Sequence, residues 1–134
     1  MAKDLEKPCG KTHHSFEEAV THTYMNLVGG DKNQLSEPFW GTRAGNIGNL
    51  GKVIGWKTAD GLKRWRLDYD PAKGVHINEE DFSMTPPRKI CHPVAISEAL
   101  ARTYINKWTS RYDKPPHVVE AEEELLRQVR EGFR

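Results

Sequence analysis

The segment RWRLDYDPAKGVHIN, Arg64 to Asn78, alternates charged and apolar residues, breaks at Pro-Ala-Lys-Gly, and then resumes the alternation. One parity carries Arg64, Arg66, Asp68, His76 and Asn78; the other carries Trp65, Leu67, Tyr69, Val75 and Ile77. A histidine beside an aspartate has its tautomer fixed and its imidazolium favoured, so it can move protons near neutral pH. Arginines suit bidentate binding of phosphate. Together these groups point to phosphodiester cleavage without metal. Attack by an RNA 2′-hydroxyl needs a base for its proton, a cation for the phosphorane charge and an acid for the leaving oxygen. The expected assignment gives His76 the acid–base role, Arg66 the charge, and Asp68 the orientation of His76. His22 is the second proton carrier, and Arg64, Lys57, Asn78 and Arg43 bind substrate. The competing reading is a solvated strand face whose opposite charges pair across strands, each pair contributing a few tenths to about 1 kcal/mol.

A sheet must position these groups. In KVIGWKTADGLKRWRLDY, Asp60-Gly61 lies between two alternating runs, a strong hairpin signature. A two-residue turn pairs Ala59 with Leu62, which sets Trp56 opposite Trp65, Ile54 opposite Leu67, Lys57 opposite Arg64 and Gly55 opposite Arg66. Each apolar residue meets an apolar one, so the register is self-consistent. The glycine opposite Arg66 is expected to leave space for a ligand. A third strand, Val75 to Glu79, follows a five-residue loop that brings His76 near Asp68 or Asp70, and Asn78 beside Arg66 or Asp68. Tyr69 belongs with the buried face in this reading. Glu80 falls on the His76 face and Glu79 behind it.

Helices flank that meander. Ser15 and Glu18 form a capping-box pattern, with Phe16, Ala19, Val20, Thr23 and Leu27 on one side and Gly29-Gly30 as the stop. His14, Glu18 and His22 are spaced four and four on one helical face, as proton carriers (with His22 reaching the sheet if the helix packs across it), a metal pair or a solvated face. Pro93 is expected to open a second helix, with Ile96, Ala99, Leu100, Thr103 and Trp108 apolar. A last helix carries Val118, Leu125, Leu126, Val129 and Phe133, with its AEEE opening and Arg127/Arg130 ending matched to the dipole. The expectation is an α+β fold: an N-terminal helix, a small antiparallel β-meander and two C-terminal helices. It is one domain, 1–134, with a polar lead at 1–14, a helix at 15–28, a glycine-rich loop at 31–52, the meander at 53–82 and a helical part at 93–134.

The remaining signals mostly exclude. The net charge is +1, so nucleic-acid contact must come from a local patch. No apolar run nears the roughly 18 residues that span a bilayer, and MAKDLEKPCG lacks the apolar core of a secretory signal. GTRAGNIGNLGK fails the Walker A pattern, because Asn46 stands where a glycine is needed and Val53 follows the lysine. HINEED offers only a weak metal-nuclease pattern. Cys9 and Cys91 are read as free thiols, with one bridge or a zinc site with His13 and His92 as alternatives. No cofactor is expected.

KVIGWKTADGLKRWRLDYDPAKGVHINEEDF resembles a segment of the C-terminal domains of bacterial polymorphic toxins of the Rhs and contact-dependent-inhibition types. The matching residues are Arg66, Asp68, Asp70, Pro71, Lys73, Gly74, His76 and Asn78, an RxDxDPxKGxHxN run. The resemblance implies an effector delivered to a target-cell cytoplasm by a larger polypeptide, used in bacterial competition and neutralised by a cognate immunity protein. Many such domains are nucleases. The helical region after Met84 departs from the tail of that segment. The combined expectation is a monomeric, metal-independent ribonuclease-type toxin domain acting on RNA. The alternatives are a non-catalytic module binding an acidic protein or nucleic acid, and a toxin enzyme using NAD or another nucleotide.

Overall fold

The computed structural model describes residues 10–42 and 49–132. It is α+β: helix α1 (Phe16–Val28), an antiparallel meander, then α2 (Glu98–Thr109) and α3 (Pro116–Arg130). The strands are β1 (Glu37–Trp40), β2 (Val53–Lys57), β3 (Lys63–Asp70), β4 (Gly74–Asp81) and β5 (Arg88–Pro93), in the spatial order of the chain.

The central register follows from side-chain parity. Trp56 faces Trp65, Lys57 faces Arg64 and Gly55 faces Arg66. On the other side of β3, Arg66 faces Asn78, Asp68 faces His76 and Tyr69 faces Val75. The hairpin turn itself is wider than two residues. The Thr58 N–H donates to the Lys63 carbonyl, while the Asp60 carboxylate accepts from the Thr58 hydroxyl and the Leu62 N–H. The loop grows by one residue on each side, so the pairing further along is unchanged.

Both α1 and α2 cover the odd-numbered face of β3. Trp65 is the hub, with Phe16 and Tyr24 of α1 at 6.3 and 6.1 Å, and Trp56 and Trp108 at 5.7 and 5.9 Å between ring centroids. Leu67, Ile77, Ala19, Leu27, Ile105 and Val118 complete this core. The helix starts are locally encoded: Ser15 accepts from the Glu18 N–H, and Ser97 accepts from the Leu100 N–H. Gly29, at φ 62°, closes α1 in the left-handed conformation.

Several expectations are corrected. The span 31–52 contains a strand, β1, with Phe39 opposite Gly55. Pro93 ends β5 rather than opening a helix; α2 begins five residues later behind Ser97. Leu100, Leu126, Val129 and Tyr69 are exposed, so the apolar stripes are narrower than their sequence pattern. The last helix begins at Pro116, so the acidic run lies beyond its first turn. Cys91 is disulfide-bonded, which overturns the free-thiol reading for it, whereas Cys9 and Phe133 lie outside the described residues.

Gly55 stands between Phe39 and Arg66, both of which line a cavity on the even-numbered face. A Cβ there would overlap the Trp65 carbonyl oxygen and crowd the Arg66 Cα, so the glycine serves close approach of β2 to β3. Gly55→Ala is expected to destabilise the protein by about 1–3 kcal/mol, because backbone rather than a flexible side chain must yield. Chemical denaturation checks this; an unchanged midpoint would contradict the packing described.

Candidate functional site

The even-numbered sheet face holds the charges that the register promises, but ties them to one another. Arg64 Nε donates to Glu80 Oε1 at 2.7 Å, and Arg66 Nη1 lies 3.4 Å from the same oxygen. Arg66 Nε donates to Asp68 Oδ2 at 2.6 Å; Asn78 Nδ2 donates to that oxygen at 2.8 Å, and Asn49 Nδ2 to Oδ1 at 3.3 Å. Burial is the largest single influence on the Glu80 carboxyl and raises its pKa. The Arg64 hydrogen bond and the charges of Arg66, Arg64 and Lys89 outweigh it and hold the group below the usual glutamate value. Phe39 and Phe82 flank the Arg64 guanidinium at 5.0 and 4.8 Å from their ring centroids.

His76 shares this face with Asp68, as its register requires, but it is 3% exposed. Its Nδ1 meets the Gly74 carbonyl at 2.9 Å, so the backbone orients the ring. Lys57 is half-buried at the β2 position opposite Arg64. Arg43 lies outside the described residues.

The structure does not bring His22 to this face. His22 sits on α1, its ring centroid 4.8 Å from that of His13, on the helix-covered side. There it joins a cluster that includes His13 and His92, the two histidines of the zinc alternative, now 3.4 Å apart. His92 pairs in register with Ile77 and therefore projects to the helix side. Its Nε2 lies 2.7 Å from Glu79 Oε1, and its Nδ1 lies 3.4 Å from His13 Nε2. Asn26 of α1 also donates to Glu79 Oε1, at 3.3 Å. The order is thus Glu79, His92, His13, then the exposed His22. The backbone fixes the outer end: His13 N–H donates to Pro93 O, and Ala95 N–H donates to His13 O, binding the segment before α1 to the end of β5.

Donor–acceptor logic constrains this chain. A carboxylate only accepts, so His92 Nε2 carries hydrogen. In the neutral imidazole its Nδ1 then accepts from His13 Nε2–H. His13 Nδ1 faces a second carboxylate, Glu18 Oε1, at 3.6 Å, so the two imidazoles bridge two carboxylates and a third proton on the pair would bond it to both ends. Burial lowers the His13 pKa below the ordinary histidine value, the charges of His92 and His22 lower it further, and Glu18 opposes them. Glu79 is 2% exposed, and its second oxygen, Oε2, is buried with no hydrogen-bond partner. Such an orphan costs stability, and orphaned buried groups recur at sites that use their charge.

Among the described residues, no group of three or more His, Cys, Asp or Glu side chains is arranged to hold a metal ion. No helix among them is long and apolar enough to cross a membrane. No family model and no curated protein matches the chain.

Proposed function

We propose that this chain is a toxin-type effector domain that cleaves RNA by metal-independent acid–base catalysis, with the histidine chain as its centre. The observation that supports it is the buried Glu79 carboxylate on His92, backed onto His13, whose ring lies 4.8 Å from that of a second histidine, His22. His13 Nδ1 takes the proton of the 2′-hydroxyl while the 2′-oxygen bonds to phosphorus. The bond from phosphorus to the 5′-oxygen breaks, and that oxygen takes a proton from the imidazolium of His22. The products are a 2′,3′-cyclic phosphate and a 5′-hydroxyl. His92 and Glu79 hold the tautomer of His13 and stabilise the charge it gains.

This reading keeps the proton-carrying role of His22 and moves the base from His76, which is buried, to His13. The resemblance of the Arg66 to Asn78 run supports the toxin context, with delivery by a larger polypeptide and a cognate immunity protein as partner. The test is expression in bacteria, followed by gel analysis of total RNA. Degraded RNA with the native sequence and intact RNA with His13→Ala are expected. Growth arrest with RNA intact would favour the enzyme that uses NAD or another nucleotide.

The pH profile gives a sharper signature. The base works only when His13 is unprotonated, and its pKa lies below the ordinary value. The acid limb of kcat/KM is therefore expected below about pH 6.5. Glu18→Gln removes the group that raises this pKa while keeping a residue suited to the capping box. It should move the limb to lower pH still; a limb that moves upward would contradict the assignment.

A further inference from the structure

A cavity of about 180 Å³ opens on the sheet face opposite the histidine chain. We infer that it is a binding site for a nucleoside monophosphate, held by the outer edges of Arg64 and Arg66 and by the aromatic wall of β1. The inference is independent of the ribonuclease reading.

The cavity has two chemically distinct sides. Arg64, Arg66, Thr42 and Asn49 supply polar groups, and Phe39 and Trp40 supply apolar surface. A ligand that uses both needs a compact anionic head and a flat apolar body. The carboxylates do not consume the guanidinium groups. Asp68 takes Nε of Arg66 and Glu80 takes Nε of Arg64. Arg66 Nη1 is buried without a hydrogen bond, its nearest carboxylate oxygen being 3.4 Å away on Glu80. That atom is closed to ligand, so a phosphate would meet the exposed remainder of Arg64 and Arg66, whose side chains are 24% and 19% exposed. Arg64, fixed between Phe39 and Phe82, keeps its guanidinium in place without ligand. Asp68 also lines the cavity, and its negative charge opposes an anion. The Asp68 charge is already shared among Arg66, Asn78 and Asn49, so the expected affinity is modest rather than absent.

The test is calorimetric titration of the full chain with AMP, adenosine and inorganic phosphate separately. AMP is expected to bind with a Kd below about 1 mM. Adenosine and phosphate should each bind about tenfold more weakly, since each engages one side of the cavity. Arg66→Gln should weaken AMP about tenfold or more. That variant also removes a cation from Asp68 and Glu80, so Thr42→Trp, at the exposed rim, supplies an independent block. It should weaken AMP similarly with the ion pairs intact. Absence of saturable AMP binding would overturn the inference. So would adenosine or phosphate binding as tightly as AMP, or indifference of AMP binding to Thr42→Trp.

Discussion

His13→Ala lowers the rate of RNA cleavage by about 10²–10⁴-fold and leaves the fold in place, on the mechanism proposed above. The residue lies ahead of α1, and its backbone bonds to Pro93 and Ala95 do not depend on its side chain. Circular dichroism and thermal melts should therefore stay close to those of the native chain while turnover disappears. Glu79→Gln probes the same centre from its buried end. The amide has the shape of the carboxylate but no charge to stabilise a protonated His13–His92 pair, so activity falls while packing is retained. His76→Gln is the contrasting case. Its ring is buried against the Gly74 carbonyl, so its removal is expected in melting temperature more than in rate. Normal rates in His13→Ala with loss of rate in His76→Gln would return the base to the arginine face.

Trp65→Ala should be the most damaging single change to the fold, at about 3–5 kcal/mol. The indole is 2% exposed, and it joins α1, β2 and α2 through Phe16, Tyr24, Trp56 and Trp108. A fall in Tm of roughly 10–20 °C is expected by calorimetry, scaled to a chain of this size. A fall of only a few degrees would show that the two helices are held to the sheet by something other than this aromatic hub.

Much of the sheet is legible in the sequence because parity is a strong constraint. Once Trp56 faces Trp65, Lys57 faces Arg64 and Gly55 faces Arg66, although the ladder ends before Ile54 pairs with Leu67; a slip of one residue would put the tryptophans on the charged face. The register therefore survives the mistaken turn geometry at Asp60-Gly61. Edge elements are less legible. EPFW of β1 is too short to show alternation and lies among glycines and prolines, and RKICHP of β5 has no regular polar side. Its pairing with β4 is decided by position, once β4 has formed.

The candidate site is legible only in half. His76, Asp68, Arg66 and Asn78 do share a face, as their spacing requires. Their mutual pairing and the burial of His76 depend on packing in the third dimension. The histidine chain draws on His13, His22, Glu79 and His92, which come from the segment before α1, from α1, β4 and β5. The cysteine spacing pairs His13 with His92 only as zinc ligands, and no spacing rule adds His22 or Glu79. One signal was available: Glu79 has the parity of Trp65, Leu67 and Ile77, and a carboxylate on an apolar face needs a partner there. His92 is that partner.

The central claim is acid–base cleavage of RNA at His13 and His22, and its most direct measurement is the chemistry of the cut ends. Purified native protein, incubated with a short RNA in excess chelator, should yield 2′,3′-cyclic phosphate and 5′-hydroxyl termini by mass spectrometry, and His13→Ala should yield neither. Intact RNA, cleavage that stops in chelator, or 5′-phosphate ends would contradict it.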